Sequence, residues 1–132
     1  KTAEECGATN IIIDGPPGTG CAAIASLTGA DKVVVVTEPT GTGLHDMKRI
    51  LDLAGRFRIK RYVVVNKSDL NAEMTDRISQ WCEQEGIPVI GYLPFDPEMV
   101  HAMVACKSIT EWTPESEIST ATKRIFSLLT QE

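Results

Sequence analysis

Two short segments of this chain carry residues whose types and spacing suit nucleotide chemistry: Asp14-Gly15-Pro16-Pro17-Gly18-Thr19-Gly20 and Asn66-Lys67-Ser68-Asp69. Gly15 and Gly20 have the G-x-x-x-x-G spacing of a Walker A loop, whose next two residues are Lys and Ser or Thr. Here those positions hold Cys21 and Ala22. Neither supplies a cation for the β- and γ-phosphates or a hydroxyl for Mg²⁺, so the phosphate-cradle reading is disfavoured. The competing reading is a Walker B strand running into a mobile loop. Ile11-Ile12-Ile13-Asp14 puts a carboxylate at the carboxyl end of a predicted strand, where open α/β sheets bind ligands. Such an acid holds Mg²⁺ directly or through water. Gly15 and Gly18 let backbone N–H groups approach a γ-phosphate, and Pro16-Pro17 stiffens the strand's exit. An Asp-Gly turn that merely closes a strand is the plain alternative.

Asn66 follows Val63-Val64-Val65. Its amide offers a donor and an acceptor to a purine edge. The Lys67 stem can lie along a base, and Asp69 can receive N–H groups. The pattern matches the NKxD motif by which GTPases read guanine, and it is also an ordinary polar turn before a helix. Position after a strand of the same sheet as Asp14 favours base reading. The GTPase switch pattern places its glycine three residues after the acid, whereas Gly15 and Gly18 fall at one and four. Thr37–Gly43 is a candidate site wall in which Thr40 or Thr42 caps a helix. Leu93-Pro94-Phe95-Asp96-Pro97 is either a rigid loop over a base or a turn with Asp96 as N-cap. His45 and His101 have no acid or nucleophile at suggestive spacing, and Trp81 and Trp112 read as packing residues.

Alternating elements must position these groups. Residues 10–14, 32–37, 61–66 and 88–94 are apolar, β-branched runs, and continuous runs of that kind mark strands covered on both faces. Apolar residues recur at helical spacing over 44–57, 72–86, 96–107 and 116–129, with Gly86 suited to a C-cap. Lys1–Thr9 reads as the tail of a preceding helix. Right-handed crossovers then predict an α/β fold: an open, mostly parallel, doubly wound sheet flanked by helices.

The chain's 132 residues suit one domain spanning 1–132. With 42% hydrophobic and 23% charged residues the composition is that of a globular protein. The net charge of −5 and the lack of a dense Lys/Arg run disfavour nucleic acid as a partner of this segment. Apolar runs are too short to span a membrane, and the acidic N-terminus has no secretory h-region. Cys6, Cys21, Cys82 and Cys106 lack metal-ligand spacing.

Together IIIDGPPGTGCAAIASLTGAD, VVVVTEPTGTGLHDMKRILDLA, YVVVNKSDLN and GIPVIGYLPFDPEMVHAMV resemble the C-terminal half of MinD/ParA-superfamily P-loop ATPases, from about Asn10 to Trp112. Within that superfamily they resemble the branch with an inserted ferredoxin domain. The resemblance implies a cytoplasmic ATP hydrolase that works as an ATP-dependent homodimer. It implies Asp14 as the Walker B acid and Mg²⁺ holder, and Gly15, Pro16, Pro17 and Gly18 as the switch loop sensing the γ-phosphate. Asn66 then faces the adenine, with Pro94 and its neighbours near the base, while Asp69 departs from a simple adenine reader and keeps GTP open. The Walker A strand, loop and helix and the cysteine-rich insert of that family have no counterpart here. The expectation is that this chain alone neither holds ATP tightly nor hydrolyses it, and that any iron–sulfur cluster belongs to the missing insert. A GTPase-type domain and a non-catalytic α/β interaction module are the alternatives.

Overall fold

The computed structural model describes Glu5, residues 7–18 and residues 20–131. Cys6, and Lys1–Glu4 of the expected helical tail, lie outside the described residues. The described elements run, in order, α1 (Cys21–Leu27), β1 (Lys32–Thr37), α2 (Gly41–Arg56), β2 (Lys60–Asn66), α3 (Ala72–Gln84), β3 (Val89–Leu93), α4 (Glu98–Val104), α5 (Ile109–Trp112) and α6 (Glu117–Thr130). The three strands form one sheet in the order β1-β2-β3, and both pairings are parallel.

Helices α2, α3 and α6 start where a side chain can satisfy a free N–H group of the first turn. Thr40 accepts from Gly43 N, Asn71 from Met74 N, and Ser116 from Ser119 N. Helix α4 begins at Glu98 with Pro97 rather than Asp96 at the N-cap, and Asp96 Oδ1 accepts from Glu98 N at 2.9 Å from one residue earlier.

The register sorts side chains onto two faces. Val35 of β1 lies beside Val63 of β2, and these, with Val65, pack beneath Met47 and Leu51 of α2 and Ile78 and Cys82 of α3. Burying each of the large side chains in this layer stabilises the fold by about 1.5–3 kcal/mol. Val64 points the other way, toward the face that α6 covers. There Gly91 of β3 meets Ile125 of α6, and Lys32 Nζ donates to the Leu129 carbonyl at 2.6 Å. Helices on both faces of a parallel sheet make the doubly wound arrangement expected from the chain's alternation. A one-residue bulge at Ile90 shifts the β2–β3 register between Val63 and Val64.

The run Asn10–Asp14 departs from expectation. It is not a strand, and Ile11, Ile12 and Ile13 are 71%, 80% and 58% exposed. Strand-forming residues make a strand only beside a partner ladder. β2 is already flanked on both sides, and Asn10–Asp14 pairs with no described strand. Val36, at the β1 end of the sheet, is likewise 61% exposed.

Candidate functional site

Three connections leave the carboxyl ends of the strands, and the structure ties them to one another. After β2 the chain turns sharply through Lys67, whose φ of 53° lies in the left-handed region. That turn sends the Lys67 ammonium to Glu38 after β1, with Nζ and Oε1 2.6 Å apart. It also sets Ser68 against β3: its N–H donates to the Leu93 carbonyl at 3.0 Å and its hydroxyl to the same oxygen at 3.3 Å. Asp69 Oδ1 then accepts the backbone N–H of Phe95 at 2.7 Å. From below, Thr75 of α3 donates its hydroxyl to the Ser68 carbonyl at 2.8 Å. Between β1 and α2, a side chain at Gly43 would run into the Glu38 carbonyl, so only glycine allows the Thr40 cap and the Glu38 backbone to approach this closely.

Asn66, Lys67, Asp69 and Pro94 are therefore brought together. Asn66 ends β2 opposite Leu93 of β3, half-buried, and no described residue bonds its side-chain amide. Pro94 is half-buried beside it in sequence register, and Phe95 is 49% exposed. The site thus presents one unspent donor–acceptor pair on a rim held by an ion pair and four hydrogen bonds.

Asp14, Gly15, Pro16, Pro17 and Gly18 do not join that cluster. All five are exposed and outside regular structure. A side chain at Gly15 would come within 3.2 Å of the Ser26 hydroxyl on α1, so this segment lies over α1. Gly18 has a φ of 84°, open to glycine at little cost. Among the described residues no hydrogen bond or ion pair links Asp14–Gly18 to the rim, and no three of His, Cys, Asp and Glu converge as a metal site.

Sequence reasoning placed Glu38 in a candidate site wall and Ser68 in the Asn66–Asp69 segment without giving either a partner, and it missed Thr75. The opposite charges of Glu38 and Lys67, each just past a predicted strand, were the available signal. It also gave His101 no acidic partner and Trp112 only a packing role. In the structure Glu98 holds both: its carboxylate accepts from the Trp112 indole at 2.7 Å and lies 3.0 Å from His101 Nδ1. Helical i,i+3 spacing explains the histidine, and the turn between α4 and α5 brings the indole back.

Comparison with known proteins agrees with this fold. Residues 8–130 match the model of a ParA family described as NUBPL iron-transfer P-loop NTPase. The cytosolic Fe–S cluster assembly factor NBP35 of Eremothecium gossypii is 27% identical over 136 residues, covering 90% of this chain and 41% of that protein. The chain spans less than half the length of the curated relatives it matches. The MinD cell division protein of Aquifex aeolicus superposes with a TM-score of 0.81 at 21% identity, covering 98% of this chain and 56% of that one. MinD of Pyrococcus horikoshii, complexed with Mg-ADP, superposes with a TM-score of 0.73 at 18% identity over 89% of this chain and 49% of its own. No helix among the described residues is long and apolar enough to cross a membrane. A match over almost the whole chain, on an open parallel sheet of this topology, shows that the chain belongs to the ParA/NUBPL family of P-loop NTPases.

Proposed function

We propose that this chain supplies the base-binding half of an ATP site and that the phosphate-binding loop comes from sequence outside it. The observation that carries the reading is the Asn66 amide, half-buried and without a protein partner, on a rim fixed by the Lys67–Glu38 and Asp69–Phe95 contacts. Its donor and acceptor complement the exocyclic amine and ring nitrogen of adenine. Pro94 supplies an apolar wall.

The phosphate end is a poorer fit within this chain. Cys21 and Ala22 carry neither the cation nor the hydroxyl that a phosphate cradle needs, and Asp14 is a single carboxylate. In the longer protein Asp14 would hold Mg²⁺, while Gly15, Pro16, Pro17 and Gly18 would follow the γ-phosphate. Bound Mg²⁺ supplies charge neutralisation for phosphoryl transfer. The unpaired, solvent-exposed Ile11–Ile13 run fits a site completed by added chain. ATP hydrolysis and ATP-dependent pairing of two copies are then properties of the longer protein. By analogy with the NBP35 relative, its nucleotide cycle would serve iron–sulfur cluster handling in the cytoplasm, with cluster ligands from outside the described residues.

The test is to titrate the chain with adenosine and with Mg-ATP while following backbone amides by NMR. Both ligands should bind equally weakly and shift Asn66 and the residues around Pro94. Submicromolar binding of ATP would place a phosphate cradle in this chain and overturn the division. No shift at Asn66 with either ligand would overturn the base site.

A further inference from the structure

Asp69 is the residue of the Asn66–Asp69 turn whose chemistry points toward guanine, and its carboxylate is already engaged. Guanine presents two adjacent N–H donors, and a carboxylate reads them with both oxygens turned to the base. In this fold Oδ1 of Asp69 is turned to the loop after β3, 2.7 Å from the Phe95 nitrogen, a short charge-assisted bond. Ser68 fastens the same two segments one residue earlier on each side, through Leu93. Lys67 is drawn toward Glu38 on the opposite flank. Two of the motif's three signature side chains thus hold neighbouring loops, and only the Asn66 amide is left without a protein partner.

We propose that Asp69 is a positioning residue, fixing Pro94 and Phe95 as one wall of the base site, and that this use of its carboxylate makes the site select adenine over guanine. The inference rests on the base site proposed above. A carboxylate free to face the base would repel the ring nitrogen acceptor of adenine and attract the donors of guanine. With Oδ1 held by the Phe95 N–H, the carboxylate cannot turn both oxygens to a base, and discrimination falls to Asn66.

Two substitutions separate positioning from reading. Asp69→Asn keeps an oxygen that can accept from Phe95 N–H and removes the charge; Asp69→Ala removes the acceptor. Wild type, D69N and D69A are each titrated with adenosine and guanosine, with the Phe95 amide proton resonance followed in the same spectra. D69N should keep the adenosine preference. D69A should shift the Phe95 amide upfield and weaken adenosine binding about tenfold, the worth of one hydrogen bond to a charged group. Selective loss of guanosine binding in D69N, with adenosine unchanged, would make Asp69 a base reader and overturn the proposal. Unchanged adenosine binding and an unmoved Phe95 resonance in D69A would also overturn it. Should neither nucleoside bind wild type while the Phe95 resonance still responds to D69A, the base site itself has failed and the selectivity role falls with it. Binding that survives in D69A isolates the failure to Asp69.

Discussion

The Lys67 ammonium lies 2.6 Å from the Glu38 carboxylate, joining the exit of β2 to the exit of β1, and it does so from a backbone in the left-handed region. These two facts oppose each other energetically. The pair is partly exposed, at 37% and 47% of the side-chain surfaces, so it stabilises by no more than about 1 kcal/mol. The left-handed backbone costs a non-glycine residue about 1 kcal/mol. Lys67→Ala loses the pair and keeps the cost, whereas Lys67→Gly loses both. Urea unfolding should therefore find Lys67→Gly more stable than Lys67→Ala by about 1 kcal/mol. Equal stability of the two variants would show that the turn bears no such strain.

Gly91 is needed for space rather than for conformation. A Cβ there would run into Ile125, the residue through which α6 lies on β3. Gly91→Ala should destabilise the chain by about 1–3 kcal/mol through overpacking. Ile125→Ala, at a half-buried position, should cost about 0.5–3 kcal/mol by opening space against β3. Because the methyl added by one substitution fills space opened by the other, the double variant should lose less than the two single losses combined. Strict additivity in denaturant melts would mean that the helix–strand contact is not the constraint.

The strands were legible because their signal is local and strong. Lys32–Thr37 was expected with the same ends, and the later two strands differ from expectation by one residue at their margins. Helix α2 begins at Gly41 rather than Leu44, since the Thr40 cap recruits a first turn containing two glycines that apolar periodicity passes over. Helix α1, only seven residues long, was hidden in Cys21–Leu27 by its shortness and by the glycines around it. The failure at Ile11–Ile13 has a different cause: β-branched residues state a preference, and pairing depends on what lies alongside. For the site, Asn66 and Pro94 could be named from their places after strands. That Asp69 reaches Phe95, 26 residues away, depends on the β2–β3 register and its Ile90 bulge, which no single segment encodes.

Cys82 offers a reading of the core beneath that site. It is fully buried between α3 and the sheet, and desolvation raises its thiol pKa from the ordinary 9.0 to about 11. The folded chain thus keeps a proton that the unfolded chain releases. This contribution to stability is complete below pH 9, and it is lost as pH rises from 9 through about 11. Cys82→Ala should flatten the fall in stability over that window, at the cost of a lower plateau from the cavity. At neutral pH a thiol reagent should label the exposed Cys21 and Cys106 quickly and Cys82 only on unfolding. Rapid labelling of Cys82 in the native chain would contradict its burial.

Acid should loosen the join between α4 and α5 that Glu98 makes. The Trp112 indole hydrogen bond is the largest influence on its carboxyl, followed by that from His101, and together they hold its pKa below the ordinary 4.5. A depressed folded pKa means stability that is present above pH 4.5 and lost as pH falls through the lower folded value. Trp112 reports on this directly once Trp81 is replaced by Phe. In that background, Trp112 emission should change at a midpoint below pH 4.5 as its carboxylate partner is protonated. Glu98→Gln keeps an acceptor for the indole and has nothing to titrate, so its emission should stay flat through the same range. The same acid midpoint in Glu98→Gln would assign the transition to another group and remove Glu98 as the link between the two helices.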